Sequence, residues 1–200
     1  MVRLGVTGGI GSGKSYISQI LTEMGVPVYD TDSQAKRLMT ENESIRADLI
    51  ALLGENVYEQ GRLNKVLLAG YLFASPENAL RINKIVHPRV KEDFCRWALR
   101  REAEGRKIVA IESAILFEAG FEDVADVTVM VHAPLEVRVV RTIERDHVTA
   151  EQVKKRIASQ MDDEEKCRRA DFIIENDGVR QVEPQLRKLF QALKNRKGGL

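Results

Sequence analysis

The chain has 200 residues, of which 44% are hydrophobic, enough for one globular domain of ordinary size or for one domain with an insertion. Its 31 lysines and arginines balance 30 aspartates and glutamates, which argues against a uniform basic surface for nucleic acid. Cys95 and Cys167 lie far apart and outside any CxxC motif, which argues against a zinc site or a disulfide framework. With no long apolar run and no signal-like start, we expect a soluble cytoplasmic protein with no membrane partner.

The chain opens with the pattern of a strand, a glycine-rich loop and a helix. Alternating apolar residues over 2–6 predict a buried strand, and apolar residues at helical spacing over 17–24 predict a helix that stops at Gly25. Between them, "GGIGSGKS" at 8–15 matches G-x-x-x-x-G-K-[ST], the phosphate-binding P-loop. A glycine-rich turn without a ligand is the alternative, and the strand–loop–helix context favours the P-loop.

Each position of this motif has a chemical reason. Glycines allow positive φ and close approach of a ligand, and successive N–H groups with the helix N-terminus form an anion nest. Lys14 is expected at the β- and γ-phosphates, and the Ser15 hydroxyl at Mg²⁺. The expected nucleotide contacts are Gly9, Gly11, Ser12, Gly13, Lys14, Ser15 and the following Tyr16.

The next segments predict a short strand and then a helical insertion. "VPVYD" at 26–30 ends in the sequence Asp30-Thr31-Asp32, at the strand end where open α/β sheets bind ligands. Helical periodicity then runs from 35 to 101, including one long amphipathic helix over 82–97. His87-Pro88 is expected to kink or interrupt that helix, because proline disfavours the helical conformation of the residue before it.

Strand patterns return at 108–111, 127–131 and 172–174 and alternate with helices, which predicts a parallel sheet. Pro134 suits the first position of a helix, and Thr149 with Gln152 predicts a capping box. The charged segment 145–169 fits either a mobile lid or a solvated helical pair. A last helix over 182–193 is expected to end in a frayed tail at 195–200.

The P-loop alone leaves the class of reaction open. The guanine-recognition motif N-K-x-D is absent, since the two Asn-Lys pairs, at 64–65 and 83–84, lack the aspartate. Nucleic-acid motors tend to be longer and to carry basic grooves. These observations favour a kinase of a small metabolite over a nucleotide-dependent binding switch, with a nucleoside monophosphate or sugar acid as other possible acceptors.

Five motifs in order give the chain a specific resemblance: "VTGGIGSGKS", "VPVYDTD", "HPRV", "AILFEAGF" and "RTIERDHVT". From Val2 to Gly178 the sequence resembles the dephospho-coenzyme A kinases. The resemblance implies ATP- and Mg²⁺-dependent phosphorylation of the ribose 3′-hydroxyl of dephospho-coenzyme A, giving coenzyme A and ADP, the last step of coenzyme A synthesis. We expect a monomer or weak homo-oligomer.

The resemblance also implies roles for acidic residues. Asp32 corresponds to the family's general base, with Lys14 as its catalytic partner at the phosphates, and Asp30 is expected to contact substrate or metal-bound water. The alternative role for either aspartate is to cap the next helix, which can use only one cap. Glu112 follows a strand and is expected in the magnesium shell or at the substrate, although the family more usually has aspartate there and proline where this chain has Ala114.

Basic and amide side chains complete the expected site. His87 and Arg89 resemble contacts to the coenzyme A side, although a histidine at a helix kink is often structural. Arg141 and Arg145 are expected at the triphosphate, Arg141 as a catalytic residue, where they would stabilise charge as the γ-phosphoryl group leaves. A solvated helix face is the alternative. Asn176 corresponds to a residue near the adenine, although Asn-Asp-Gly also makes a good turn.

These inferences predict an α/β, three-layer P-loop NTPase/kinase fold with a parallel sheet, a helical substrate-binding insertion and a lid. We expect one kinase domain, with its core at 1–31, 105–145 and 169–200. The insertion is expected at 32–104 and the lid at 146–168.

Overall fold

The computed structural model describes residues 1–196. Its main sheet has the strand order β2-β5-β1-β6-β7, and β1 pairs in parallel with β5 and β6, as does β6 with β7. The strands of this sheet are β1 (Val2–Thr7), β2 (Val28–Asp30), β5 (Ile108–Glu112), β6 (Val127–His132) and β7 (Phe172–Glu175). A small antiparallel hairpin pairs β3 (Tyr58–Glu59) with β4 (Arg62–Leu63).

Helices supply most of the rest of the described structure. They are α1 (Lys14–Glu23), α2 (Thr31–Glu41), α3 (Glu43–Leu53), α4 (Lys65–Ala74), α5 (Pro76–Ala103), α6 (Leu135–Asp146), α7 (Ala150–Ala158), α8 (Asp163–Arg169) and α9 (Val182–Arg196). Short 3₁₀ turns occupy Glu55–Val57 and Phe121–Val124. The predicted α/β fold with a parallel sheet is confirmed.

The position of β1 determines where a ligand can bind. After β1 the chain continues to β2 and β5 on one side of it, and later to β6 and β7 on the other. The carboxyl end of β1 is therefore a topological switch point, where open α/β sheets form a crevice for ligands. Apolar residues of β1, β6, α1 and α9 pack into one core, which includes Leu4, Val129, Leu21 and Leu186.

The chain divides into two compact units. The first comprises residues 1–29 and the described residues from 98 onward, and contains nearly all of the main sheet. The second comprises residues 30–97 and consists of helices and the small hairpin. Buried residues of this second unit include Leu38, Leu49, Val86 and Phe94.

The expected break at His87-Pro88 was wrong in one respect, because α5 runs without interruption through Pro88. Proline removes one backbone donor from the helix interior. Val86, Val90 and Phe94 nevertheless bury the same helix face on both sides of the proline. The apolar burial along this face outweighs the lost hydrogen bond.

The predictions for the helix ends were confirmed only in part. The capping box of Thr149 and Gln152 is confirmed at α7, whereas Pro134 is the N-cap of α6 and not its first residue. The hairpin β3–β4 was not predicted. Of the tail expected to fray, residues 197–200 lie outside the described residues, and α9 extends to Arg196.

Candidate nucleotide-binding site

The glycine-rich loop connects the carboxyl end of β1 to α1. Gly11 and Gly13 adopt positive φ values of 78° and 92°, which favour glycine. Gly13 is also the N-cap of α1, so the helix begins at Lys14. The loop therefore presents main-chain N–H groups and a helix N-terminus at the switch point, as the P-loop motif predicts.

Neighbouring side chains fix the path of this loop. The amide of Asn176 donates to the Ser12 carbonyl at 2.8 Å, and the Ser12 N–H donates to the Gly9 carbonyl at 3.1 Å. The ammonium of Lys14 lies 3.4 Å from the Gly9 carbonyl oxygen. A Cβ atom on Gly13 would lie 2.1 Å from the Asn176 amide nitrogen, so no larger residue fits there without a rearrangement.

The loop contains polar groups suited to an anion. The Ser12 side chain is buried, and its Oγ has no hydrogen-bond partner among the residues that the structure describes. Buried hydroxyls are normally paired, so an unpaired one inside a nest of N–H groups fits a ligand that carries oxygen atoms. Ser15 is exposed and Lys14 is half-buried at the start of α1.

Glu112 ends β5 directly beside the loop's strand, with its Cα in register with that of Val6. Its carboxylate accepts a hydrogen bond of 2.5 Å from the hydroxyl of Ser18 on α1. Ser18 lies three residues after Ser15, about one helical turn. Glu112 is thus held against the helix that begins with the P-loop lysine.

The arginines of α6 differ strongly in their environment. The Arg138 side chain is 3% exposed, Arg141 is half-buried, and the Arg145 side chain is 64% exposed. Arg141 donates to the main-chain carbonyl of Asn176 at 2.8 Å. Arg145 donates to Asp146 at 2.7 Å, a hydrogen bond that raises the pKa of Arg145 and lowers that of Asp146.

Asn176 and Tyr16 line one cavity of about 400 Å³ next to the loop. The other lining residues are Gly178, Arg180, Gln181, Val182 and Glu183. Asn176 is buried at 7% exposure, whereas Tyr16 is 53% exposed. Asn176 thus lines this cavity, follows the end of β7 and, through its hydrogen bond to Ser12, contacts the P-loop.

Within the unit 30–97, Asp30 and Asp32 have different environments. Asp30 caps α2, because its carboxylate accepts from the Asp32 N–H at 3.0 Å and from the Ser33 hydroxyl at 2.5 Å. Asp32 lies in the first turn of the same helix and is exposed. Since the helix uses Asp30 as its cap, the side chain of Asp32 is not needed for that purpose.

His87 and Arg89 both lie on α5, two residues apart. Burial, with a smaller effect of Lys91, lowers the pKa of His87 below its ordinary value. Arg89 pairs with Glu92 at 3.2 Å, and its side chain is 35% exposed. A separate cavity of about 520 Å³ in the same unit is lined by residues of α2 and α4, including Lys36, Lys65 and Leu68.

The structure also places residues at the loop that the sequence reasoning missed. The Arg138 Nε donates to the Ile10 carbonyl at 2.8 Å, and the Ile10 N–H donates to the Gln160 side chain at 3.0 Å. Asp163 pairs with Arg138. Arg138, Arg141 and Arg145 lie three and four residues apart along the sequence, but nothing local in the sequence links Arg138 to residues 160 and 163.

The comparison with known proteins agrees with this geometry. Residues 2–181 match the family model described as dephospho-CoA kinase. The chain belongs to the dephospho-CoA kinase family. A dephospho-CoA kinase from Bacteroides fragilis (strain YCH46) is 50% identical over 192 residues, which cover 96% of this chain and 93% of that protein. This kinase is therefore an ATP-using phosphotransferase with a P-loop kinase fold.

Solved structures show the same fold. The crystal structure of TT1252 from Thermus thermophilus superposes with a TM-score of 0.78 and 36% identity, covering 96% of this chain and 97% of that one. The dephospho-CoA kinase from Campylobacter jejuni has a TM-score of 0.68, with 23% identity and coverage of 96% and 97%. In this family member, none of the helices described is long and apolar enough to span a membrane.

Proposed function

We propose that this kinase transfers the γ-phosphoryl group of ATP to the ribose 3′-hydroxyl of dephospho-coenzyme A, giving coenzyme A and ADP in the last step of coenzyme A synthesis. The observation that carries the proposal is the family match over residues 2–181, on a chain whose P-loop forms an anion nest. Phosphoryl transfer requires mainly positioning and neutralisation of charge. The main-chain N–H groups and cationic side chains near the loop would supply both.

The nucleotide is proposed to bind along the loop 9–15. The N–H groups of this loop and the ammonium of Lys14 would hold the phosphates, with Lys14 neutralising charge on the transferred group. The adenine would enter the cavity lined by Tyr16 and Asn176, whose volume of about 400 Å³ and position next to Gly13 support this assignment.

Magnesium is proposed as the metal that accompanies ATP. The exposed hydroxyl of Ser15 and the carboxylate of Glu112, which is hydrogen-bonded to Ser18 of α1, are oxygen donors of the kind that Mg²⁺ prefers. Ser15 would supply a hydroxyl ligand, and Glu112 would hold a metal-bound water or the substrate. When bound, the ion would supply positive charge that offsets the negative charge of the phosphates.

Asp32 is proposed as the general base that accepts the proton of the 3′-hydroxyl. The capping role of Asp30 supports this, because it leaves the carboxylate of Asp32 exposed and outside the cap. A base must be within hydrogen-bond reach of the proton it accepts when the substrate is bound. Asp30 would contact the substrate and, as the cap, would also stabilise the first turn of α2.

The remaining cations are proposed to bind the negative groups of the two substrates. Arg141 is held by the Asn176 carbonyl beside Gly13, which supports a role at the triphosphate, and Arg145 would join it from the same helix. His87 and Arg89 would contact the phosphates of dephospho-coenzyme A. For Arg145 the exposed pairing with Asp146 also fits a solvated helix face.

We further propose that residues 32–104 form the acceptor-binding insertion and that 146–168 form a lid on the core at 1–31, 105–145 and 169–200. The lid would exclude water, which competes with the 3′-hydroxyl for the phosphoryl group. The protein would act in the cytoplasm as a monomer or weak homo-oligomer, with no nucleic acid or membrane as partner. Its balanced charge supports the absence of a nucleic-acid partner.

An assay of ADP release with a panel of acceptors tests the function. With ATP and Mg²⁺, dephospho-coenzyme A should stimulate ADP release strongly, whereas nucleoside monophosphates and sugar acids should not. Little ADP should form without an acceptor. Equal stimulation by another acceptor would identify a different small-molecule kinase, and acceptor-independent release would favour a nucleotide-dependent switch.

A further inference from the structure

Arg138 is a buried cation that contacts the glycine-rich loop. Its side chain is only 3% exposed, and burial lowers the pKa of its guanidinium. The Nε donates to the Ile10 carbonyl at 2.8 Å, and Nη1 pairs with the carboxylate of Asp163 at the start of α8. A buried guanidinium is costly unless it is paired and hydrogen-bonded. Here its two partners belong to the P-loop and to α8, so Arg138 joins these segments.

The glycines of the loop match this arrangement closely. A Cβ on Gly9 would lie 2.1 Å from Nη2 of Arg138. A Cβ on Gly11 would lie 2.3 Å from the Arg138 carbonyl oxygen and 2.6 Å from the hydroxyl of Thr142. Within the segment 9–11, positions 9 and 11 therefore pack directly on α6, with no room for a side chain at either position. These two glycines are required by α6 as well as by any ligand on the other side of the loop.

Ile10, at the centre of this segment, is held at both of its main-chain polar groups. Its carbonyl accepts from Arg138, and its N–H donates to the side-chain oxygen of Gln160 at 3.0 Å. Gln160 lies in the turn between α7 and α8, and Asp163 is the first residue of α8. We call Arg138, Gln160 and Asp163 the loop clamp.

The turn between α7 and α8, which contributes Gln160 and leads into Asp163, is itself anchored. The N–H of Met161 donates to Glu118 at 2.9 Å. The fully buried ammonium of Lys166 pairs with the same carboxylate at 2.9 Å and donates to the Ala114 carbonyl at 2.8 Å. The turn is therefore fixed to the segment that follows β5, which allows it to hold the P-loop in one position.

We propose that Arg138, supported by Asp163 and Gln160, is a positioning residue for the nucleotide. The clamp fixes residues 9–11 so that the loop presents its N–H groups to the phosphates, and ATP affinity therefore depends on the turn between α7 and α8. Arg138 acts through the loop and not on the reacting atoms. The inference rests on the ATP-binding part of the proposed function and not on the identity of the acceptor.

Calorimetric titration of ATP in the presence of Mg²⁺ into the full-length protein tests this proposal. Arg138→Lys keeps the charge but loses the planar fork that contacts Ile10 and Asp163 together, and Asp163→Asn removes the countercharge. Each should weaken ATP binding by about tenfold, the effect of losing one charge-assisted hydrogen bond. Since both act on one unit, the double variant should bind ATP about as weakly as the worse single variant.

Glu165→Gln is the matched control for Asp163→Asn. It removes an acidic charge from the same helix, where Glu165 forms an exposed pair with Arg168. Such a pair contributes little, so ATP affinity should stay within about twofold of the wild type. The KM for dephospho-coenzyme A should be unchanged in the clamp variants, whereas the KM for ATP should rise.

Several results would overturn the proposal. One is a folded Arg138→Lys or Asp163→Asn variant that melts at a lower temperature yet binds ATP like the wild type, since the clamp would then be only structural. Equal rises in both KM values would also exclude a specific effect on the nucleotide. If Arg138→Lys does not fold, Asp163→Asn and Gln160→Met decide the outcome by the same criterion. A wild-type protein that binds ATP without phosphorylating dephospho-coenzyme A would refute the proposed function but leave this test intact.

Discussion

Replacing Gly13 with alanine should destabilise the protein and weaken ATP binding. At φ 92° a side chain costs about 1–2 kcal/mol in backbone strain. The new Cβ would also lie 2.1 Å from the Asn176 amide nitrogen and would break its 2.8 Å hydrogen bond to Ser12. Leaving that buried amide unpaired costs about 1–3 kcal/mol more. The total of about 2–5 kcal/mol should lower the Tm by roughly 5–15 °C in a chain of this size.

Gly105→Ala provides the matched control. Gly105 has φ 80°, and none of the described heavy atoms beyond its chain neighbours lies within 4 Å of a Cβ built on it. The Gly105→Ala variant should therefore lose only about 1–2 kcal/mol of stability, through backbone strain. The effect of replacing glycine with alanine on the unfolded chain is the same in both variants. Differential scanning calorimetry, with titration of ATP, measures both effects. Equal losses of Tm in the two variants, with ATP affinity unchanged in Gly13→Ala, would refute the reasoning.

Three further predictions concern the candidate site. Asp32→Asn should nearly abolish turnover while calorimetric binding of ATP persists, whereas Asp30→Ala should mainly cost about 1 kcal/mol of stability through the lost helix cap. Normal turnover in Asp32→Asn would exclude it as the base. Arg141→Glu should lower kcat by about 10²-fold or more with a small change in Tm, and unaltered activity would assign Arg141 to a solvated face. Because burial lowers the pKa of His87, the unfolded chain binds its proton first as pH falls, so this residue costs stability below about pH 6.5. His87→Gln should therefore reduce the loss of Tm between pH 7.5 and 5.5, and an identical loss would contradict the assigned environment.

The central fold was predictable because its signals are local. The P-loop motif, the apolar strand before it and the helical spacing after it all lie within residues 2–24, and each agrees with the others. The strands around 108, 127 and 172 followed from short apolar runs between helices. The hairpin β3–β4 escaped because its strands have two residues each, around a turn at Gln60 and Gly61 with positive φ. Such strands are too short to show a period.

Features that depend on distant residues could not be predicted. In sequence, Arg138 is one of several arginines on the same helix, and what distinguishes it is its contacts with Ile10 and with Asp163, 25 positions later. The choice between Asp30 and Asp32 as the helix cap also required the structure, because the two are the same residue type and aspartate is a good cap at either position. Pro88 shows the reverse case, since a strong local signal was overridden by burial along the face of α5.

Phosphorus NMR of the reaction product tests the central claim most directly. The wild-type protein, incubated with ATP, Mg²⁺ and dephospho-coenzyme A, should yield ADP and one new phosphomonoester, located on the ribose 3′ position. Asp32→Asn should yield almost none of it. The appearance of inorganic phosphate in place of this product, or a new phosphate at another position of the acceptor, would contradict the account.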